Sequence, residues 1–293
     1  MGWRRGRALK GISIRTTPSR ALSDALIVVA GVVSLFLIIF TPLFTAEDWN
    51  AIQHGSRLVL AGQSPFQEAL YRWSPLAAWL GVPLLAVPYW AWVGLHLVAL
   101  LALLDPVLIV IGLLAWPFWQ DAGLGNVLIF VVVAAYWALR GNRILTWAYV
   151  VMCLLMPRPL VVPVLVWLLW TRPALRLRFV ALAIASLAGA FVTGYGIDWL
   201  TVLVSKSGSD MANPYQVGPS ALIGAVWIPI GLFLALILTW RAQLGLASLA
   251  ASPYWLPYYL LMGLLDIRPH RSMPEPQSAP QKASTSRSAS AIE

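Results

Sequence analysis

The sequence predicts an all-α, polytopic membrane protein, and three observations carry that prediction. Of 293 residues, 60% are hydrophobic and 11% charged, with a mean hydropathy of +0.77, whereas a soluble domain is about one quarter charged. The chain repeatedly runs apolar for 13 to 30 residues, and about 20 helical residues cross the hydrocarbon core of a bilayer. The formal net charge of +9 sits in short stretches between the apolar runs, which is the pattern of topology signals rather than of a nucleic-acid surface. The single cysteine, Cys153, lies inside an apolar run, so a disulfide framework and a cysteine-based metal site are excluded.

Residues 1–24 form the first unit. Arg4, Arg5, Arg7, Lys10, Arg15 and Arg20 stand there without an acid before Asp24, which should hold the N-terminus in the cytoplasm. The apolar run from about Ala25 to Phe44 is too long for a cleaved signal and reads as a retained first span. It opens a transmembrane domain, residues 25–265, of about eight to ten helices.

The segment 45–74 is polar and should lie outside. Trp49, Ile52, Val59 and Leu60 recur there at helical spacing, with Asn50, His54 and Arg57 on another face, the profile of a short helix in the membrane interface. The turn Gly62-Gln63-Ser64-Pro65 should end it. Residues 75–104 then run apolar through Pro75, Pro83 and Pro88, either as one bent crossing or as two half-crossings. Further apolar runs occupy about 106–118, 124–139, 144–156, 159–171, 177–197, 221–240 and 242–265. Arg140 and Arg143, then Arg172, Arg176 and Arg178, then Arg241 mark cytoplasmic turns. With one crossing over 75–104, the turns at Gly123–Asn126 and Pro157–Pro159 and the later loop 198–220 fall outside, on the side of Asp48. The segment 266–293 is rich in Ser, Pro and Ala and is expected to be a disordered polar tail.

Ionisable groups near membrane depth are costly and usually functional. Glu47 and Asp48 follow directly on the first span. A carboxylate there can serve as general base toward a hydroxyl; alternatively, Thr45-Ala46-Glu47-Asp48 fits a capping box, in which the carboxylate satisfies backbone donors. Arg158 stands between Pro157 and Pro159, where a broken helix lining a cavity would aim it at a lipid phosphate; the bland reading is an Arg snorkelling at a span boundary. Gly123-Leu124-Gly125-Asn126 is either an ordinary turn or a place where backbone approaches a ligand, with the Asn126 amide on a sugar or phosphate. Asp198, Lys206, Asp210, Asn213, Tyr215 and Gln216 give the loop 198–220 a mixture suited to carbohydrate. His54, His96 and His270 have no metal-ligand spacing, and His96 reads as a neutral imidazole bonded to a neighbouring helix. Trp73, Trp90, Trp116, Trp119, Trp199 and Trp240 read as an interfacial aromatic belt.

One stretch resembles a known family. It reads Asp48-Trp49, then Leu60-Ala61-Gly62-Gln63-Ser64-Pro65-Phe66, Tyr71-Arg72-Trp73-Ser74-Pro75-Leu76, and Pro83-Leu84-Leu85-Ala86-Val87-Pro88. This resembles the N-terminal signature of GT-C-type membrane glycosyltransferases, closest to the polyprenol-phosphate-mannose-dependent mannosyltransferases of glycosyltransferase family 87. The turn at Gly123–Asn126 resembles the family's Gly-Gln-x-Asn motif without its Gln, and Met156-Pro157-Arg158-Pro159 resembles its Lys-Pro-x-Pro motif with Met for Lys. The likeness extends over about residues 25–200, so the chain is expected to be shortened at its C-terminus relative to the family.

The resemblance implies a GT-C-like bundle in the cell membrane. It further implies inverting transfer of a hexose, with mannose the first candidate, from a polyprenyl-phosphate donor to a glycolipid or glycan acceptor on the outer face. Asp48 takes the family's place of catalytic base. Arg158, Arg57, Arg72 and Lys206 are the candidates for the donor phosphate, and Glu47, His54, Tyr71 and Asn126 for substrate binding. No cofactor, metal or nucleic-acid partner is expected, because Arg or Lys can stabilise a departing phosphate. Two other classes remain open at this level: a non-catalytic protein that binds or moves a polyprenyl-phosphate lipid, and a small transporter with Pro-broken spans around a midplane site.

Overall fold

A computed structural model describes residues 44–211 and 216–267, with 31, 32, 35 and 39, the side chains 206–211 excepted; among these every regular element is helical. The basic N-terminus, most of the first span and the tail beyond 267 lie outside the described residues.

Helix α1, Glu47–Leu60, is the expected interfacial helix. It buries Trp49, Ile52 and Val59 and exposes Asn50, His54 and Arg57, whereas Leu60 is exposed rather than inward. It stops because Gly62 adopts φ +70°, which lets the amides of Gly62 and Gln63 reach back to the carbonyls of Val59 and Leu58.

Proline punctuates the next segments. Helix α2, Pro75–Leu80, is capped by the Ser74 side chain, continues as a 3-10 turn over Val82–Ala86, and meets α3, Tyr89–Leu101, at Pro88. The two arms are bent by 109°, since Pro removes a backbone donor and holds the preceding residue extended. The run 75–104 is therefore sharply broken between its two arms. Helices α4, Pro106–Leu114, capped by Asp105, and α5, Trp116–Leu124, repeat the device with a 72° bend at Ala115-Trp116-Pro117.

Helix α6, Leu128–Leu139, turns at Gly141-Asn142 into α7, Arg143–Leu155, whose first turn is capped by Asn142. Helices α8, Val162–Thr171, and α9, Pro173–Val192, follow, then α10, Gly196–Met211. The loop expected over 198–220 is thus helical through residue 211. The short α11, Ser220–Ile223, leads into α12, Trp227–Trp240; α13, Leu244–Ala251, packs closely against it. A 3-10 segment, Pro257–Gly263, and α14, Leu264–Ile267, complete the described chain. Asp266, at the predicted start of the polar tail, instead caps α13 by accepting the amides of Gly245 and Leu246.

The main core joins α6, α7 and α8 to the segment 258–265, around Phe118, Ile129, Tyr149, Leu168 and Tyr259. A second cluster of Ile52, Val59, Tyr71, Trp73, Ala78 and Met156 seats α1 on α2. Trp73 and Trp199 are buried, unlike Trp90 and Trp240, so these two belong to the interior and not to an aromatic belt.

Among the described residues, two stretches are long and apolar enough to cross a membrane, Pro173–Val192 and Ser220–Trp240, or up to four if each bent pair counts as one. Both long helices expose large apolar side chains, such as Leu177 and Val192 on α9 and Phe233 and Leu236 on α12, as lipid-facing helices do. By length the described residues thus give fewer crossings than the eight to ten expected. Helices α6 and α7, of 12 and 13 residues, reach about 18–20 Å at 1.5 Å per residue, against a hydrocarbon core of about 30 Å.

Candidate functional site

Helices α6 and α7 form a hairpin, so the residue before α6 and the residues after α7 lie at the same end. That end carries Asn126 and Arg158; the other carries Arg140, Arg143 and, from the α8–α9 corner, Arg172. Arg172 donates to Thr146 Oγ1 at 2.8 Å and also to the Ala138 carbonyl, fastening that corner to the α6–α7 turn.

Asp48 sits in the first turn of α1, and the helix start is tied to the Gly-rich turn. The Ala46 amide donates to the Gly123 carbonyl at 2.9 Å, Tyr89 donates its hydroxyl to the same oxygen, and Trp92 Nε1 donates to the Gly125 carbonyl at 3.0 Å. Gly125 is required here. It has φ +73°, and a Cβ on it would stand 2.5 Å from Trp49 Cβ. At Gly125 the turn therefore packs directly against Trp49.

The capping box is not formed. Ala46 takes the N-cap position in a left-handed conformation, without a side-chain cap. The Asp48 carboxylate instead accepts from Asn126 Nδ2 at 2.6 Å, between residues 78 apart in sequence. Asn126 is fully buried and fully engaged. Its Oδ1 accepts from Val127 N at 2.6 Å, its carbonyl meets His96 Nε2 at 2.8 Å, and its amide donates to the Asp121 carbonyl at 2.9 Å. Asn126 thus aims Asp48.

Burial raises the Asp48 carboxyl above the usual carboxylate range; the Arg158 guanidinium and the Asn126 amide oppose that rise, Glu47 adds to it, and Arg72 opposes it. Arg158 comes from the Pro157–Pro159 break, which interrupts the helical path between α7 and α8. Its Nη1 donates to the Tyr259 hydroxyl at 3.2 Å, and Tyr259 in turn donates to the Tyr254 hydroxyl at 3.4 Å. Tyr254, Tyr258, Tyr259, Asp48 and Asp121 are among the ionisable groups in electrostatic reach of that guanidinium. Arg72 acts on both Asp48 and Tyr254.

Of the residues singled out from sequence, Asp48, Glu47, Arg158, Arg72 and Asn126 therefore converge. Others do not join them. Arg57 donates to Gln53 Oε1 at 3.1 Å on the exposed face of α1. His54 Nδ1 pairs with Glu68 Oε2 at 2.6 Å, also outside. Tyr71 is 1% exposed, donates its hydroxyl to the Ser74 carbonyl at 3.0 Å, and serves the second core cluster. The Lys206 side chain lies outside the described residues. Asp198 accepts from Ser64 Oγ at 2.6 Å, which brings α10 against the turn that follows α1.

Sequence reasoning missed Tyr254, Tyr258, Tyr259 and Asp121. The Pro257-Tyr258-Tyr259 run within an apolar segment was the signal for the tyrosines, since phenols at such depth need polar partners. No protein-family model, curated protein or solved structure matches the chain.

Proposed function

We propose that the protein is a GT-C-like glycosyltransferase of the cell membrane. It transfers a hexose, mannose in first place, from a polyprenyl-phosphate donor to a glycolipid or glycan acceptor on the outer face, with its N-terminus cytoplasmic. Asp48 takes the proton of the acceptor hydroxyl as that oxygen attacks the anomeric carbon. The bond from that carbon to the phosphate oxygen breaks, and its electron pair leaves with the lipid phosphate, whose growing charge Arg158 and Arg72 stabilise. Attack opposite to the leaving group inverts the anomeric centre.

The observation that supports this reading best is the convergence of Asp48, held by Asn126, with Arg158 and Arg72 at one end of the α6–α7 hairpin. A carboxyl raised by burial is a stronger base toward a hydroxyl than a fully solvated one. A guanidinium supported by a phenol presents its remaining donors in the planar fork that suits phosphate. The Asp198–Ser64 contact supports a common outer side for α10 and the segment after α1.

The test is transfer of radiolabelled mannose from polyprenyl-phosphate-mannose in membranes containing wild type or Asp48→Asn at matched abundance. The expected result is transfer by wild type alone. Equal transfer by both removes Asp48 from the mechanism. Absence of transfer by wild type, with the lipid still bound, favours a non-catalytic lipid-binding protein.

A further inference from the structure

Behind Asp48 lies a buried group that the transfer reaction does not use. His96, on α3, is fully buried. Its Nδ1 stands 2.9 Å from the Trp92 carbonyl and its Nε2 stands 2.8 Å from the Asn126 carbonyl. Both partners are acceptors. A neutral imidazole has one N–H, so it could satisfy one carbonyl and would turn a lone pair toward the other at hydrogen-bond distance.

The second observation is Asp121, on α5 and also fully buried. Its Oδ2 accepts from the Ile129 amide at 2.9 Å and lies 3.9 Å from His96 Nε2, while its Oδ1 has no hydrogen-bond partner among the described residues. A carboxyl protonated at that free oxygen would have no acceptor for its proton. An ionised one needs a nearby cation, because an isolated buried charge is costly.

We infer that His96 is held as a doubly protonated imidazolium paired with ionised Asp121, and that this pair fixes the Asn126 carbonyl and so the side-chain amide aimed at Asp48. One proton arrangement meets both requirements: each ring nitrogen gains a donor for the carbonyl it faces, and Asp121 gains its counter-ion. The rings of Trp92 and Phe130 flank the imidazole in T-shaped contacts at centroid distances of 5.5 and 4.9 Å. The other charged groups in electrostatic reach of Asp121 are Asp48 and Arg158, of opposite sign. His96 and Asp121 are thus positioning residues acting through Asn126. Their consequence for transfer rests on Asp48 being the base; their charge state does not.

Histidine ring nitrogens report protonation directly in 15N spectra. The full chain carries three histidines, so the variant His54→Gln/His270→Gln in lipid nanodiscs leaves His96 as the single signal. Two protonated ring nitrogens at neutral pH are expected, and one bare nitrogen overturns the inference whether or not the protein transfers sugar. In Asp121→Asn the signal should become that of a neutral ring. Mannose transfer by that variant should show kcat lowered about tenfold with the donor KM unchanged, the split expected when a base is misaimed. A neutral ring with unchanged kcat overturns the positioning role. If wild type transfers no mannose, the proposed function fails, and the spectra alone still decide the charged pair.

Discussion

Asn126 Nδ2 lies 2.6 Å from Asp48 Oδ2, and this bond joins the first turn of α1 to the residue that opens the approach to α6. Asp48 is therefore aimed from outside its own helix. A carboxylate in the first turn would ordinarily turn back to cap the backbone, and the left-handed Ala46 together with the buried amide of Asn126 selects the other direction.

Removing that amide should disorient Asp48, the proposed base. Asn126→Ala is expected to lower transfer about 100-fold, the scale of a misplaced reacting group, and to cost about 1–3 kcal/mol of stability because buried partners lose their bonds. Transfer assays and thermal unfolding in detergent check the two effects separately. Unchanged kcat in a folded Asn126→Ala protein would contradict the role assigned to the amide.

The raised Asp48 carboxyl has a stability signature. Its ordinary value is 3.8, and the folded value lies above it, so in the interval between them the folded state binds the proton more tightly than the unfolded one. Stability from this group is present below 3.8 and is lost as pH rises through the folded value. Asp48→Asn should therefore flatten the fall of stability with rising pH. Unfolding midpoints of both proteins across acid to neutral pH measure this. The transfer rate should rise over the same interval as the base loses its proton.

Tyr259 supports the Arg158 guanidinium. Tyr259→Phe keeps the ring in the core but removes the hydroxyl that Arg158 donates to at 3.2 Å. A hydrogen bond to a charged group is worth about 1.5–3 kcal/mol, so donor lipid should bind about tenfold more weakly or worse. Binding of a non-hydrolysable donor analogue reads this without reference to turnover.

Two glycines with similar backbone angles should respond differently to alanine. A methyl group on Gly62, at φ +70°, would meet nothing within 4 Å, whereas one on Gly125, at φ +73°, would meet Trp49 Cβ at 2.5 Å. Gly62→Ala should cost only the left-handed strain of about 1–2 kcal/mol; Gly125→Ala adds overpacking of about 1–3 kcal/mol. Equal unfolding midpoints for the two variants would show that the α1 start can move away from the turn.

Much of the architecture was legible along the chain because its causes are local. The periodic burial of Trp49, Ile52 and Val59 announces α1, Gly62 announces its end, and Pro75, Pro88 and Pro159 announce breaks, since proline acts on its own backbone whatever surrounds it. The number of crossings was not legible. Hydropathy marks an apolar run but not the angle between its halves, and proline marks the break at Pro88 without giving the 109° by which the arms are bent.

The site divides in the same way. Sequence alone determined that Asp48 and Arg158 are polar groups at breaks in an apolar chain, where a charge needs a reason. Only the tertiary structure decided which of them meet. It brings Asn126, Asp48, Arg158 and Tyr259 together through the α6–α7 hairpin and the fold-back of the 257–263 segment, and it sends Arg57, His54 and Tyr71 to other work. The physical reason is that hydrogen bonds and charges act over a few ångströms of space, and contacts between residues far apart in sequence, such as Asn126 with Asp48, exist only once the helices have packed.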